Sequence, residues 1–203
     1  QMQQQNDKNK ELLNEIECQK QKEQEKQAAA AASEKIQKQQ ASDLQNEICK
    51  QNELQGFCSQ ILSCFSREFG FVQGLLYIKT GEGKENVRFR VNSTYAYHAL
   101  ECKNEFAPGE GLPGLAAEKQ KFINIDEVPE GYITVLSGTG KSNPANLLIV
   151  PVVYDNQTIA VIELASFQKI PEETENLIKD ILQGINSKLN ELIRQKQPES
   201  SDE

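Results

Sequence analysis

Tryptophan is absent from the 203 residues, and methionine and histidine occur once each. A lone histidine, His98, excludes HExxH and multi-histidine metal sites, which need two or more imidazoles at fixed spacing. Glycine first appears at Gly56 and proline at Pro108, so nothing in the first quarter breaks a helix. No run approaches about 18 consecutive apolar residues, which excludes a membrane-spanning helix in this stretch. No charged segment precedes a short apolar run, so a secretory signal is not expected in this stretch. Basic residues are in the minority, 22 against 30 acidic, for a formal net charge of -8. That balance argues against nucleic acid or an anionic membrane as partner. The cysteines are Cys18, Cys49, Cys58, Cys64 and Cys102, an odd number without CxxC spacing. Neither a disulfide framework nor a zinc knuckle follows, and a reducing, cytoplasmic setting is expected. The chain opens on Gln1 without an initiator Met, and so reads as a piece of something longer, with any membrane span in the missing part.

What is present is unevenly distributed. Residues 1–40 hold eleven glutamines and few bulky apolar residues. They cannot build a core, whereas the stretch from Gln51 can. Residues 1–50 therefore read as a helical leader, 51–197 as the globular domain and 198–203 as an acidic tail. A heptad fits the leader, with Leu13, Lys20, Gln27, Glu34, Ala41 and Ile48 on one seam position and Met2, Asn9, Ile16, Glu23, Ala30, Gln37 and Leu44 on the other. The seam is polar between Lys20 and Gln37, so pairing there would be weak. A solvated leader is the plainer alternative. Pairing is more credible near Ala41, Leu44 and Ile48.

From Gln51 the periodicities change. Leu54, Cys58, Ile61, Leu62 and Phe65 make a helical stripe that Gly70 ends. Residues 72–80 and 87–97 read as a hairpin, with Val87, Phe89, Val91, Ser93, Tyr95 and Tyr97 sharing one face. A loop rich in Pro and Gly leads into a short helix over 115–120, then a short strand over 121–125. Residues 126–145 read as irregular, with one ordered piece over 132–136. Residues 146–154 and 158–166 form a second hairpin about Asp155-Asn-Gln157. Pro171 opens a last helix with the stripe Ile178, Ile181, Leu182, Ile185, Leu189, Leu192 and Ile193. Two hairpins with helices at both ends indicate an α+β layer with the helices on one face of an antiparallel sheet.

Most motifs that suggest chemistry fail on context. Gly109-Glu-Gly-Leu-Pro-Gly114 fits GxGxxG, but Pro108 and Pro113 and the short helix do not suit a βαβ unit. The glycines then serve turns of positive φ. Gly138-Thr-Gly-Lys-Ser142 resembles a P-loop end, yet Val135 stands where the first glycine belongs. Cys102 and His98 could form a thiol–imidazole pair if brought close, though two unrelated side chains is the simpler reading. Glu163 lies inside the apolar run Ile159-Ala-Val-Ile-Glu-Leu-Ala165, on a face with Ile159, Val161 and Ala165. A carboxylate there must line a cavity or pair with a cation such as Arg88 or Arg90, and the residues alone leave both open.

Taken together, Tyr95-Ala-Tyr97, Pro108-Gly-Glu-Gly-Leu-Pro-Gly-Leu115, Asp126-Glu-Val-Pro129, Tyr132-Ile133, Ser137-Gly138 with Gly140, Pro144 with Asn146-Leu147, and Val161-Ile-Glu-Leu-Ala-Ser166 resemble a bacterial GAF sensor domain. The resemblance covers about residues 51–195. It implies an α+β fold with a six-stranded antiparallel sheet, terminal helices on one face and a loop-covered pocket on the other. It implies a sensory module of the kind found in histidine kinases and related two-component regulators. Such a module is not an enzyme, binds an unidentified small molecule and forms a homodimer through its end helices. Tyr95, Tyr97, Phe122, Tyr132, Ser137, Asn146 and Glu163 are the expected pocket residues, with no cofactor and no metal. The cyclic-nucleotide signature and the bilin cysteine–histidine pair of other GAF branches are not visible. A ligand-free relay is the alternative. A third, a thiol reductase, would rest on Cys102 without a resolving partner.

Overall fold

The computed structural model describes residues 2–81, 83, 86–97, 104–129, 132, 133, 135–137 and 140–196, with side chains from Gln19 onward except at 29, 136, 137, 140 and 141. His98 and Cys102 lie outside the described residues, as does the tail 198–203. The chain divides into two units, 1–40 and 41–203.

The first unit is helical, part of α1 (Met2–Ile48), as expected of a Gln-, Lys-, Glu- and Ala-rich segment without glycine. Its described side chains are largely solvated, and Ile36 is 68% exposed. Lys38 and Glu34 form an exposed i,i+4 pair on one helix face.

The second unit starts at Ala41, ten residues before the boundary drawn from composition. Ala41, Leu44 and Ile48, assigned from the heptad to pairing between copies, are buried in this chain's own core. Glu47 and Arg67 fork together across α1 and α2 (Leu54–Phe69) at 2.8 and 2.9 Å. Gly70 ends α2 in the left-handed region at φ 72°, its N–H bonded to Ser66 O. The last helix, α4 (Glu172–Lys196), has Glu172, Glu173 and Glu175 in its first turn and Arg194 and Lys196 in its last, each matching the helix dipole.

The strands are β1 (Gln73–Thr80), β2 (Arg88–Tyr95), β3 (Glu105–Phe106), β4 (Ile123–Ile125), β5 (Val135–Ser137), β6 (Gly140–Ser142), β7 (Asn146–Tyr154) and β8 (Gln157–Ser166). Six of them form an antiparallel sheet in the order β3-β2-β1-β8-β7-β4. Both expected hairpins form. They join through β1 and β8, which sit side by side at the sheet's centre. Asp155 and Asn156 both have positive φ, 49° and 56°, the two-residue turn whose twist matches a hairpin. The irregular segment contains an unforeseen ribbon, β5–β6. The span from Gly138 to Ser142 therefore enters a strand and not a phosphate-binding helix.

The short helix α3 (Gly111–Lys119) begins four residues earlier than expected. Pro113 falls in its first turn, where a missing N–H costs nothing. Gly109 and Gly111 have φ of 79° and 66°, and a Cβ on Gly114 would sit 2.4 Å from Ala107 O. The glycines of GxGxxG thus serve backbone geometry, and the antiparallel sheet excludes a dinucleotide fold.

The sheet separates two cores. Leu76, Ile78, Leu148, Val150, Ile162 and Leu164 face α2, α4 and the end of α1. Leu75, Tyr77, Phe89, Leu147, Ile149, Val161 and Ala165 face α3 and Ile133. Thr158 Oγ1 donates to Ala117 O at 2.7 Å and ties α3 to β8.

Candidate functional site

A strand's alternation decides what reaches the second face, and two bulges alter it. Between Leu76↔Ser93 and Tyr77↔Val91, β2 carries one extra residue, Asn92. Beyond it, Ser93 turns to the helix face and bonds Ser59 and Gln55. Tyr95, two residues on, is a surface residue at 36% exposure and lines no described cavity. Ala96 then takes φ 49°, and Tyr97 returns to the second face. In β8 an extra residue at Ile159 places both Ile159 and Ala160 in the helix-side core. Ile159 therefore does not share the face of Glu163.

On the second face is a hollow of about 230 Å³. Leu75, Tyr77 and Glu163 come from the central strands, Tyr97 and Phe106 from one margin, Glu110, Gly111 and Pro113 from the entry to α3, and Tyr132 and Ile133 from the covering segment. Glu163 is opposite Leu75 on β1 and Ile149 on β7. Tyr77, paired with Val161, is its diagonal neighbour and donates its hydroxyl to Glu163 Oε2 at 3.4 Å. The ring of Tyr77 meets Phe106 edge-on at 4.9 Å, and Phe106 stacks on Phe89 at 5.3 Å. These contacts hold the donor in place.

Glu163 is 5% exposed. Its burial pushes the carboxyl up to about 7, while hydrogen bonds from Tyr132 and Tyr77 oppose the rise. The Tyr132 hydroxyl is pushed up by burial and by the Glu163 charge, so it stays a donor. Glu163 is thus poised between neutral and charged near neutrality, with tyrosine hydroxyls directed at it. Arg90 pairs instead with Glu105 at 2.8 Å. Arg88 pairs in register with Thr80, five residues along β1 from Leu75, or about 17 Å. Of the two readings of Glu163, the cavity wall holds.

Of the other expected residues, Tyr97, Tyr132 and Glu163 come together. Phe122 does not, because Ile123 and Ile125 pack into the second-face core and alternation turns Phe122 toward the helix-side core. Asn146 is buried on that helix side too, since Leu147 takes the hollow side, and it donates to Asp126 at 3.0 Å. Ser137 is in β5, and its side chain lies outside what is described. Tyr77, Phe106 and the α3 entry were missed from the sequence. Period-two alternation from Leu75 would have found Tyr77. The described cysteines do not line the hollow: Cys58 and Cys64 are in the helix-side core, and burial pushes the Cys58 thiol up to about 12. Among the described residues no cluster of three His, Cys, Asp or Glu could hold a metal ion. No helix among them is long and apolar enough to cross a membrane.

A curled six-stranded antiparallel sheet, with helices on one face and a covered hollow on the other, defines a class of small α+β domain. The GAF domain family model matches residues 51–185, and the chain belongs to that family. The fold is similar to the GAF domain of an Acinetobacter phosphoenolpyruvate-protein phosphotransferase, at 14% identity and TM-score 0.64 over 80% of this chain and 98% of that one. It is also similar to free methionine-R-sulfoxide reductase from Neisseria meningitidis in complex with its substrate, at 16% identity and TM-score 0.57 over 77% and 89%. A third likeness is the A. aeolicus nlh2 GAF domain in an inactive state, at 19% and 0.56 over 77% and 98%. GAF neighbours thus include a domain of a phosphotransferase and a free methionine-R-sulfoxide reductase. No curated protein matches the chain in sequence.

Proposed function

We propose that this chain is a sensory GAF module that binds a small molecule over Glu163 and relays the event through its end helices, as a homodimer. The observation that carries the reading is Glu163 itself, a buried titratable group on a hollow wall with Tyr77 and Tyr132 directed at it. A purely structural layer is more stable with an apolar residue there, since a buried carboxyl costs several kcal/mol unless satisfied. A ligand with a cationic or hydrogen-bond-donating group complements it. Relay follows from strand geometry. On β8, Glu163 faces the hollow while Ile162 and Leu164 press on the helices, so displacement on one face is felt on the other. A ligand that prefers one arrangement of Tyr132 and Ile133 by about 1–3 kcal/mol suffices to bias a helix pair.

A thermal-shift screen of small metabolites tests the binding, with Tyr132→Ala as comparison. Hits that stabilise the native chain and lose their effect in the variant support the reading. Absence of any hit favours the ligand-free relay, which the hollow's modest volume also favours, since drug-sized ligands occupy about 300–1,000 Å³. Light scattering reports the dimer. The third reading, a thiol reductase, would need Cys102. Methionine sulfoxide turnover that disappears in Cys102→Ser would establish it.

A further inference from the structure

A second hollow, of about 490 Å³, lies on the helix face between α4 and the β7–β4 margin. It is more than twice the size of the hollow over Glu163, at about 230 Å³, and falls within the range that holds metabolite-sized ligands. It exists because β4 pairs with β7 only from Leu147 to Ile149. Beyond that, among the described residues, Pro151, Val152 and Val153 have no further strand on that side. The margin is closed to an added strand: Pro151 has no N–H, and Asn186 Nδ2 donates to Val153 O at 2.9 Å. A peptide edge is therefore not the natural occupant.

The floor is apolar, made by Phe122, Pro151, Val152 and Leu182. The rim carries Lys121 and Lys179, and among the described residues neither has a hydrogen-bond or ion-pair partner. Asn176 and Gln183 also make no side-chain hydrogen bond there. Glu175 is the one carboxylate in the lining, and Asn124 Nδ2 already donates to its Oε1. In a chain of net charge -8, two unpaired cations over an apolar floor are a local reversal of sign.

We propose that this hollow is a second ligand site, distinct from that over Glu163, for a small amphipathic organic anion such as an aryl or branched aliphatic carboxylate. The apolar body covers Phe122, Val152 and Leu182. The carboxylate sits between the two lysines, with the amides of Asn176 and Gln183 as further donors. An occupant there bridges α4 to β7 and so touches a relay helix directly.

The test is an amide-detected NMR titration of the whole chain with three probes of one shape: 4-phenylbutyrate, its neutral amide, and 4-phenylbutylamine. The expected result is saturable shifts for 4-phenylbutyrate at Lys121, Val152, Lys179 and Gln183. The neutral amide binds about tenfold more weakly and the amine more weakly still. The double variant Lys121→Gln with Lys179→Gln loses about tenfold for the carboxylate, whereas Lys22→Gln with Lys50→Gln does not. Both lysines of the site are exposed, and an otherwise unchanged spectrum verifies the fold. No saturable shift at millimolar probe, or equal binding of carboxylate and amide, overturns the proposal. Shifts centred on Leu75, Tyr132 and Glu163 also overturn it, by placing the probe in the other hollow. Failure of the Glu163 hollow to bind any metabolite leaves this result unaffected.

Discussion

Replacing Glu163 by Gln should remove a pH-dependent penalty that the fold carries. Burial pushes the folded carboxyl up to about 7 against an ordinary 4.5. At 1.36 kcal/mol per unit this is about 3 kcal/mol. The folded pKa is the higher one, so the folded state favours the neutral acid. Stability from this group is intact below pH 4.5, falls as pH rises toward 7 and is lost above it. Glutamine keeps an acceptor for the hydroxyls of Tyr77 and Tyr132 and cannot ionise. Urea denaturation of both proteins at pH 5 and pH 8 isolates the effect, because every other titrating group cancels in the difference. The native protein should lose about 2–3 kcal/mol relative to the variant over that interval. Parallel pH dependence in the two proteins would refute the reasoning and place Glu163 in a better-solvated setting than 5% exposure implies.

Ile48→Ala should destabilise the domain by about 2–5 kcal/mol, the cost of an emptied core site, since Ile48 is fully buried in this chain's own core. That loss should not vary with protein concentration in chemical denaturation, whereas a seam between copies would make it vary. Gly114→Ala drives a Cβ to 2.4 Å from Ala107 O, and a loss of about 1–3 kcal/mol is expected from overpacking, read as a lowered urea midpoint. Arg67→Ala removes an exposed fork to Glu47 and should cost under about 1 kcal/mol, less at high salt. A larger loss would mean that the fork fixes the end of α1.

The long helix, both hairpins, the capping glycine Gly70 and the stripe on α4 were legible because each depends on neighbours in sequence: periodicity, turn residues and caps. Glu163 was legible as an anomaly, one carboxylate in an apolar strand. Three things were not. The side-by-side placement of β1 and β8 joins residues nearly 90 apart in the chain, as in Leu75↔Glu163, and no local pattern encodes it. The bulges at Asn92 and Ile159 shift the alternation locally, which moved Tyr95 out of the hollow and Ile159 to the helices, until Ala96 at positive φ returned Tyr97 to it. The entry to α3 looked like a loop because Pro and Gly are loop residues, yet a helix's first turn tolerates both. Local chemistry thus determined which elements form, and only the packing of distant strands decided which side chains face each other across the hollow, because a face depends on register and register is a tertiary quantity.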